Sequence, residues 1–263
     1  MIVAGCDVGS LTSKALILNN KNVLGYCVIR SKTRPEESAR EVFELALKKA
    51  AVHEEQVMCC VGTGYGRNKI PFIQEAVSEI TCHGKGALWV MPRVRTVIDI
   101  GGQDCKAIRI DKEGTIQKFT TNDKCAAGTG RFLEVMAKLL GVAIDELGGL
   151  KGGQNQEPLT LSSACTVWAQ AEVIHHLNIG KSKGDIAEAI NRAMAGRVAI
   201  LVGNVGLEKD VCMTGGVAKN TGVVRHLEKM LGVKIKRLKF DPQIMGALGA
   251  AIIAKQMYTG ENP

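Results

Sequence analysis

The chain has 263 residues, 46% of them hydrophobic and 30 of them glycine, enough for a sizeable core broken by many tight turns. Aromatic residues make up only 4%, which argues against base stacking as a mode of recognition. The formal net charge of +8 is spread along the chain instead of gathered in an arm, so it favours anionic ligands and acidic partners over nucleic acid.

Met1-Ile2-Val3-Ala4-Gly5-Cys6-Asp7 lacks the basic segment and cleavage site of a signal peptide, and no uncharged apolar run approaches the ~20 residues that cross a bilayer. A cytoplasmic protein is expected, with neither membrane nor nucleic acid among its partners. Nine cysteines in that compartment argue for buried thiols and a metal site, not a disulfide framework.

Three apolar runs, Ile2 to Cys6, Ala15 to Leu18 and Val23 to Ile29, predict a meander of strands. Its first turn is the glycine- and hydroxyl-rich stretch Asp7 to Lys14. After Pro35, Ala39, Val42, Phe43, Ala46, Leu47 and Ala50 recur at helical spacing. Val57 to Val61 reads as a buried strand running into Gly62-Thr63-Gly64-Tyr65-Gly66-Arg67-Asn68, with a helix expected from about Phe72 to Val90. The pattern then restarts. Thr96-Val97-Ile98-Asp99-Ile100-Gly101-Gly102-Gln103-Asp104 is again a strand running into Asp-x-Gly, and Cys105 to Ile110 and Thr115 to Phe119 again read as strands. This weak repeat, with a period of about ninety residues, predicts two similar α/β lobes, residues 1–94 and 95–263.

Beyond it the chain reads as mainly helical to Gly206, and within residues 122–206 two cysteines open apolar helical runs. Cys125 lies in Asn122-Asp123-Lys124-Cys125-Ala126-Ala127-Gly128-Thr129-Gly130-Arg131-Phe132, and Cys165 in Ser162-Ser163-Ala164-Cys165-Thr166-Val167-Trp168. A strand from Val211 to Met213 opens into Thr214-Gly215-Gly216-Val217-Ala218 and a helix to Leu231. A strand at Val233 to Lys236 and a helix from Ile244 to Met257 close the pattern.

Three strand ends thus deliver glycines and small polar residues to a tip, where backbone N–H groups cradle phosphate because no Cβ blocks the approach. At the first tip Ser10, Thr12 and Ser13 add hydroxyls and Lys14 a positive charge, with Leu11 among them. Gly101 and Gly102 form the second tip, and Gly215 and Gly216 the third, which leads toward a helix N-terminus suited to an anion or an adenosine. Asp7 and Asp99 each stand at a strand end, where a carboxylate holds Mg2+ through waters. Gln103 and Asp104 are candidates for placing the attacking water near a γ-phosphate. Gln243 is a candidate for the adenine pocket. No Gly-x-x-x-x-Gly-Lys-Ser/Thr is present, which argues against a P-loop. Cys6, Cys27, Cys59, Cys60, Cys105 and Cys212 lie in predicted strands and read as core thiols, while Cys82 is expected to be more exposed.

Asp7-Val8-Gly9-Ser10, Asp99 to Asp104 and Thr214 to Ala218 resemble the two phosphate motifs and the adenosine motif of the acetate kinase, sugar kinase, Hsc70 and actin superfamily. More narrowly, Thr63 to Asn68, Val97 to Asp104 and Asn122 to Leu133 closely resemble the ATP-dependent activators of 2-hydroxyacyl-CoA dehydratases and the related ATPase subunits of benzoyl-CoA reductase, across essentially the whole chain. Leu11 departs from the small residue usual at its position in these activators.

The resemblance implies an actin-like ATPase fold with two duplicated ribonuclease H-like lobes and a helical cluster-binding insertion at about 122–206. It further implies a homodimer that binds ATP or ADP with Mg2+ and carries a single 4Fe-4S cluster between its subunits, each giving Cys125 and Cys165. An upstream donor such as ferredoxin or flavodoxin would supply the electron. ATP hydrolysis would drive it to a partner iron–sulfur protein, most simply a 2-hydroxyacyl-CoA dehydratase, alternatively a benzoyl-CoA reductase-like enzyme. The residues are consistent with this: a cubane takes four thiolates, the chain offers two cysteines at helix starts, and twofold symmetry would complete the set. A small-molecule kinase on the same fold is the rival from another class.

Overall fold

The computed structural model describes residues 1–122, 126–153, 158–161 and 165–260. The expected meander forms first: β1 (Ile2–Val8), β2 (Thr12–Asn19) and β3 (Asn22–Arg30) pair antiparallel. α1 (Pro35–Ala50) follows, with Pro35, Glu36 and Glu37 in its first turn and Ala51 in the left-handed region at its end. β4 (Val57–Thr63) then joins β1 in parallel.

The helix expected from about Phe72 starts later. Residues before it run extended alongside β4, where β5 (Glu75–Ala76) pairs in parallel with Val61 and Gly62. The backbone N–H of Gln74 donates to the Cys60 carbonyl at 2.9 Å and that of Val77 to the Gly62 carbonyl at 2.8 Å. Ser78 then caps α2 (Glu79–Val90) by accepting from the Ile80 N–H. Phe72 and Ile73 supply the apolar spacing that mimicked a helix, but they pack against the α1 side of the sheet.

The second half repeats the order. β6 (Thr96–Ile100), β7 (Cys105–Ile110) and β8 (Ile116–Thr121) form a second meander, followed by α3 (Gly130–Leu140), α4 (Thr166–Asn178) and α5 (Lys183–Val205). β9 (Val211–Thr214), α6 (Thr221–Leu231), β10 (Ile235–Lys236) and α7 (Met245–Thr259) complete it. The two sheets run β3-β2-β1-β4-β5 and β8-β7-β6-β9-β10, so each half contributes the same strand order.

The helices are exchanged between the sheets. α1 covers one face of the first sheet, with Val42, Phe43 and Ala46 against Ala15 and Ile17. Its other face is covered by α7, whose Met245, Leu248 and Ala251 meet Val3, Leu16 and Val61. α3, α5 and α6 cover one face of the second sheet, whereas Ala87 of α2 meets Val97, Ile108 and Cys212 on the other. A division at residues 94 and 95 therefore separates the sheets but not the helices that bury them. α2 and α7 cross where both are glycine. A Cβ on Gly86 would fall on the Met245 carbonyl, and one on Gly249 on the Cys82 carbonyl. No described helix is long and apolar enough to cross a membrane.

Candidate functional site

A cavity of about 670 Å3 opens between the strand ends of the two sheets, a size that suits a small-molecule ligand. The duplication extends to the atoms at its floor. Asp7 on β1 pairs with Lys14 on β2, and Lys14 Nζ donates to Asp7 Oδ2 at 3.2 Å. Asp99 on β6 pairs with Lys106 on β7, with Lys106 Nζ 3.6 Å from Asp99 Oδ2. Both turns close alike: the Gly9 N–H donates to the Thr12 carbonyl at 3.1 Å, and the Gly101 N–H to the Asp104 carbonyl at 3.0 Å. On the neighbouring parallel strands Thr63 pairs with Asp7 and Thr214 with Asp99. Each is followed by a glycine of positive φ, Gly64 at 92° and Gly215 at 80°. A Cβ there would stand 2.5 Å from Asp7 Oδ1 or 2.9 Å from Asp99 Oδ1, so bare backbone lets both carboxylates sit against it.

The symmetry breaks at Asp99. Thr214 Oγ1 donates to Asp99 Oδ1 at 2.9 Å, and the ring of His83 on α2 brings Nδ1 to 3.0 Å from Thr214 Oγ1 and 3.3 Å from Asp99 Oδ1. Lys106 also lies 2.8 Å from Glu79 Oε2 and 2.6 Å from Asp104 Oδ2. Burial would raise the Asp99 carboxyl, but His83, Lys106 and the Thr214 hydroxyl outweigh it and hold the group below the ordinary carboxylate value. Burial would likewise weaken the Lys106 ammonium, yet Asp99, Glu79 and Asp104 keep it protonated above the ordinary lysine value. His83, Glu79 and Lys106 escaped the sequence reading. Lys106 had a signal, since it follows Asp99 by the same seven residues that separate Lys14 from Asp7. His83 had none, because only the helix exchange brings α2 to Asp99.

Most expected site residues line this one cavity: Asp7, Ser10, Leu11, Thr12 and Lys14 from the first tip, and Asp99, Gly101, Gly102, Gln103 and Asp104 from the second. Gly215, Gly216 and Gln243 line it from the third. Ser13 does not. Its side chain is buried, with Oγ 2.9 Å from Ser31 Oγ, which donates to the Gly9 carbonyl at 2.7 Å and braces the loop from behind. Leu11 reaches across the cleft: a Cβ on Gly102 would meet its Cγ at 2.5 Å. The third tip continues through a 3-10 turn, Gly216–Lys219, before α6. There Lys219 Nζ donates to Gln243 Oε1 at 2.6 Å and to Asp241 Oδ2 at 2.8 Å, fixing Gln243 beside Gly216.

The second tip is tied to α3. The Gly130 N–H donates to the Gly101 carbonyl at 2.8 Å and the Arg131 N–H to the Gly102 carbonyl at 2.9 Å. Cys125 lies outside the described residues. Cys165 is exposed at the start of α4, next to Val167 and Trp168, each 68% exposed. The other described cysteines are buried, Cys82 among them: expected to be more exposed, it is enclosed at the α2–α7 crossing, where burial pushes its thiol up to about 12. Among the described residues no three His, Cys, Asp or Glu side chains converge as a metal-binding group.

Residues 4–254 match the BadF/BadG/BcrA/BcrD ATPase family. The chain belongs to this family. Its relatives include the activator of lactoyl-CoA dehydratase from Anaerotignum propionicum, 45% identical over 258 residues that cover 97% of each chain. The crystal structure of component A of (R)-2-hydroxyglutaryl-CoA dehydratase from Acidaminococcus fermentans is similar at 42% identity and a TM-score of 0.93, covering 98% of this chain and 99% of that one. The activator of 2-hydroxyisocaproyl-CoA dehydratase from Clostridium difficile with bound ADPNP is similar at 39% identity and a TM-score of 0.92, covering 100% and 99%. More remotely, a ROK family glucokinase from Streptomyces griseus shares the fold alone, with 13% identity and a TM-score of 0.57 over 97% of this chain and 100% of that one. The fold is thus the actin-like, sugar-kinase-like ATPase fold that the motif resemblance implies.

Proposed function

We propose that this protein is an ATP-hydrolysing one-electron reductase that activates a separate iron–sulfur enzyme, a 2-hydroxyacyl-CoA dehydratase. The observation that carries the coupling is the pair of hydrogen bonds from the first turn of α3 to the carbonyls of Gly101 and Gly102. They join the phosphate loop to the helix that starts five residues after Cys125 in sequence.

Nucleotide binding distributes over the three tips. Ser10, Leu11, Thr12, Gly101 and Gly102 border the phosphates, and Lys14 offsets their charge. Gly215, Gly216 and Gln243 border the adenosine, with Gln243 held by Lys219. At the floor the carboxylates of Asp7, Glu79, Asp99 and Asp104 surround the ammoniums of Lys14 and Lys106, a surplus of negative charge that fits a divalent cation. Both oxygens of Asp99 already face protein donors, so it and Asp7 would hold Mg2+ through waters. Gln103 and Asp104, on the same tip, orient the water that attacks the γ-phosphate.

Cys165 fits a bridging cluster. It is exposed at the start of α4, open to a metal at the surface. Two ligands per chain, Cys125 and Cys165, make four only in a homodimer, and a bound 4Fe-4S cluster then supplies one low-potential electron. Residues 122–206 would be the cluster-carrying insertion of a second lobe. A ferredoxin or flavodoxin would recharge it, and the cell compartment is the cytoplasm.

Anaerobic purification tests this reading. A brown dimer with about two irons per chain is expected, which loses its iron in Cys165→Ala but keeps ATP hydrolysis. A colourless protein after anaerobic reconstitution, or iron that survives Cys165→Ala, contradicts it.

A further inference from the structure

We propose that His83 is a positioning residue of the ATPase centre, holding a water between its Nε2 and Asp7 so that the two strand-end carboxylates belong to one network. The inference rests on the nucleotide reading of the cavity and adds a residue that none of the three tips contains.

The tautomer follows from its neighbours. Thr214 Oγ1 has one proton and donates it to Asp99 Oδ1 at 2.9 Å. An ionised carboxylate only accepts. The proton in the 3.0 Å contact between the ring and Thr214 Oγ1 must therefore come from His83 Nδ1, the same nitrogen that lies 3.3 Å from Asp99 Oδ1. With Nδ1 engaged there, Nε2 is the ring's remaining hydrogen-bonding atom.

Nε2 faces the other aspartate across a bare patch of backbone. A Cβ added to Gly246 on α7 would stand 2.9 Å from His83 Nε2 and 2.7 Å from Asp7 Oδ2. A side chain at Gly246 would thus press on the ring nitrogen and the carboxylate oxygen together, which places the two atoms side by side, and both His83 and Asp7 line the cavity. A water between them bonds to both, and a polar pocket with partners of this kind is where ordered water is retained. Asp7 Oδ2 meanwhile accepts from Lys14 on its other side. The chain Asp7–water–His83–Thr214–Asp99 then spans from the first sheet to the second at the α2–α7 crossing, and sets the spacing of the carboxylates around the nucleotide's phosphates.

Two substitutions separate the two ring nitrogens. In His83→Asn the amide NH2 takes the place of Nδ1 and keeps the bond to Thr214, but nothing replaces Nε2. In His83→Gln the longer side chain restores a hydrogen-bonding group near Nε2 and gives up the Nδ1 donor. The proposal predicts that Asn lowers kcat for ATP hydrolysis by about tenfold or more with KM within about threefold, and that Gln restores most of that loss. Retained activity in Asn, or equal loss in both, overturns it. Ring 15N shifts of the unsubstituted protein give a readout independent of activity: a proton on Nδ1 is expected, and a ring protonated at Nε2 alone refutes the proposal. Should the unsubstituted protein bind and hydrolyse no ATP, the nucleotide reading itself fails, whatever the ring shifts show.

Discussion

Cys165 and the buried cysteines differ in a way that chemistry can read at the level of single residues. Burial pushes the thiols of Cys82 and Cys212 up to about 12, against an ordinary value of 9.0. A pKa raised in the folded state stabilises the fold below the ordinary value, and that contribution is lost as pH rises from about 9 toward about 12. With iron-free protein at pH 8, iodoacetamide should therefore label Cys165 quickly and leave Cys6, Cys60, Cys82, Cys105 and Cys212 untouched, as peptide mapping would show. Above pH 10 the buried thiols should become reactive as the fold loosens. Labelling of Cys82 at the rate of Cys165 would contradict the burial described above. The same scale shows what the sequence could reveal of the site. Asp7, Lys14, Asp99 and the glycine tips were legible because their chemistry is local to a strand end. Lys106 was legible in principle from its spacing to Asp99. His83 was not, because its partner Thr214 is 131 residues away and meets it only through tertiary packing.

Among the elements, the α2–α7 crossing is the one whose geometry tolerates least. Gly249 has the Cys82 backbone where its side chain would be, and backbone cannot give way as a flexible side chain can. Gly249→Ala should cost about 1–3 kcal/mol or more, read as a lower midpoint in chemical unfolding. Gly203→Ala on α5, where no atom lies within 4 Å of the new Cβ, should be neutral or gain up to about 1 kcal/mol from helix propensity. Equal effects of the two substitutions would show that the crossing is looser than its contacts imply. The crossing also explains where element prediction ran out. Strand alternation and the Asp-x-Gly restart gave the strands of both meanders in chain order, but not β5 or the pairing of β4 and β9 into the sheets. The run before Glu79 was read as helix because Phe72 and Ile73 fit helical spacing, and the choice was made instead by β4, whose carbonyls bind Gln74 and Val77. The exchange of α2 and α7 between sheets has no counterpart in local spacing at all.

For the molecule as a whole, two sheets of equal strand order share a cavity, joined below by α2 and α7 and touching above at Leu11 and Gly102. Arg30 at the end of β3 lies 3.8 Å from Glu134 of α3, an exposed ion pair across the cleft, while the second tip holds α3 through the two backbone hydrogen bonds to Gly101 and Gly102. A nucleotide that shifts the second tip therefore pulls on α3 through those two bonds, and with it the segment that follows Cys125. The central claim is that this movement turns ATP hydrolysis into electron transfer, and rapid-freeze electron paramagnetic resonance tests it most directly. Reduced protein would be mixed anaerobically with the iron–sulfur component of a 2-hydroxyacyl-CoA dehydratase. The account predicts that the partner gains one electron only while ATP is hydrolysed, and none with ADP or a non-hydrolysable analogue. Reduction of the partner at the same rate without ATP would contradict it.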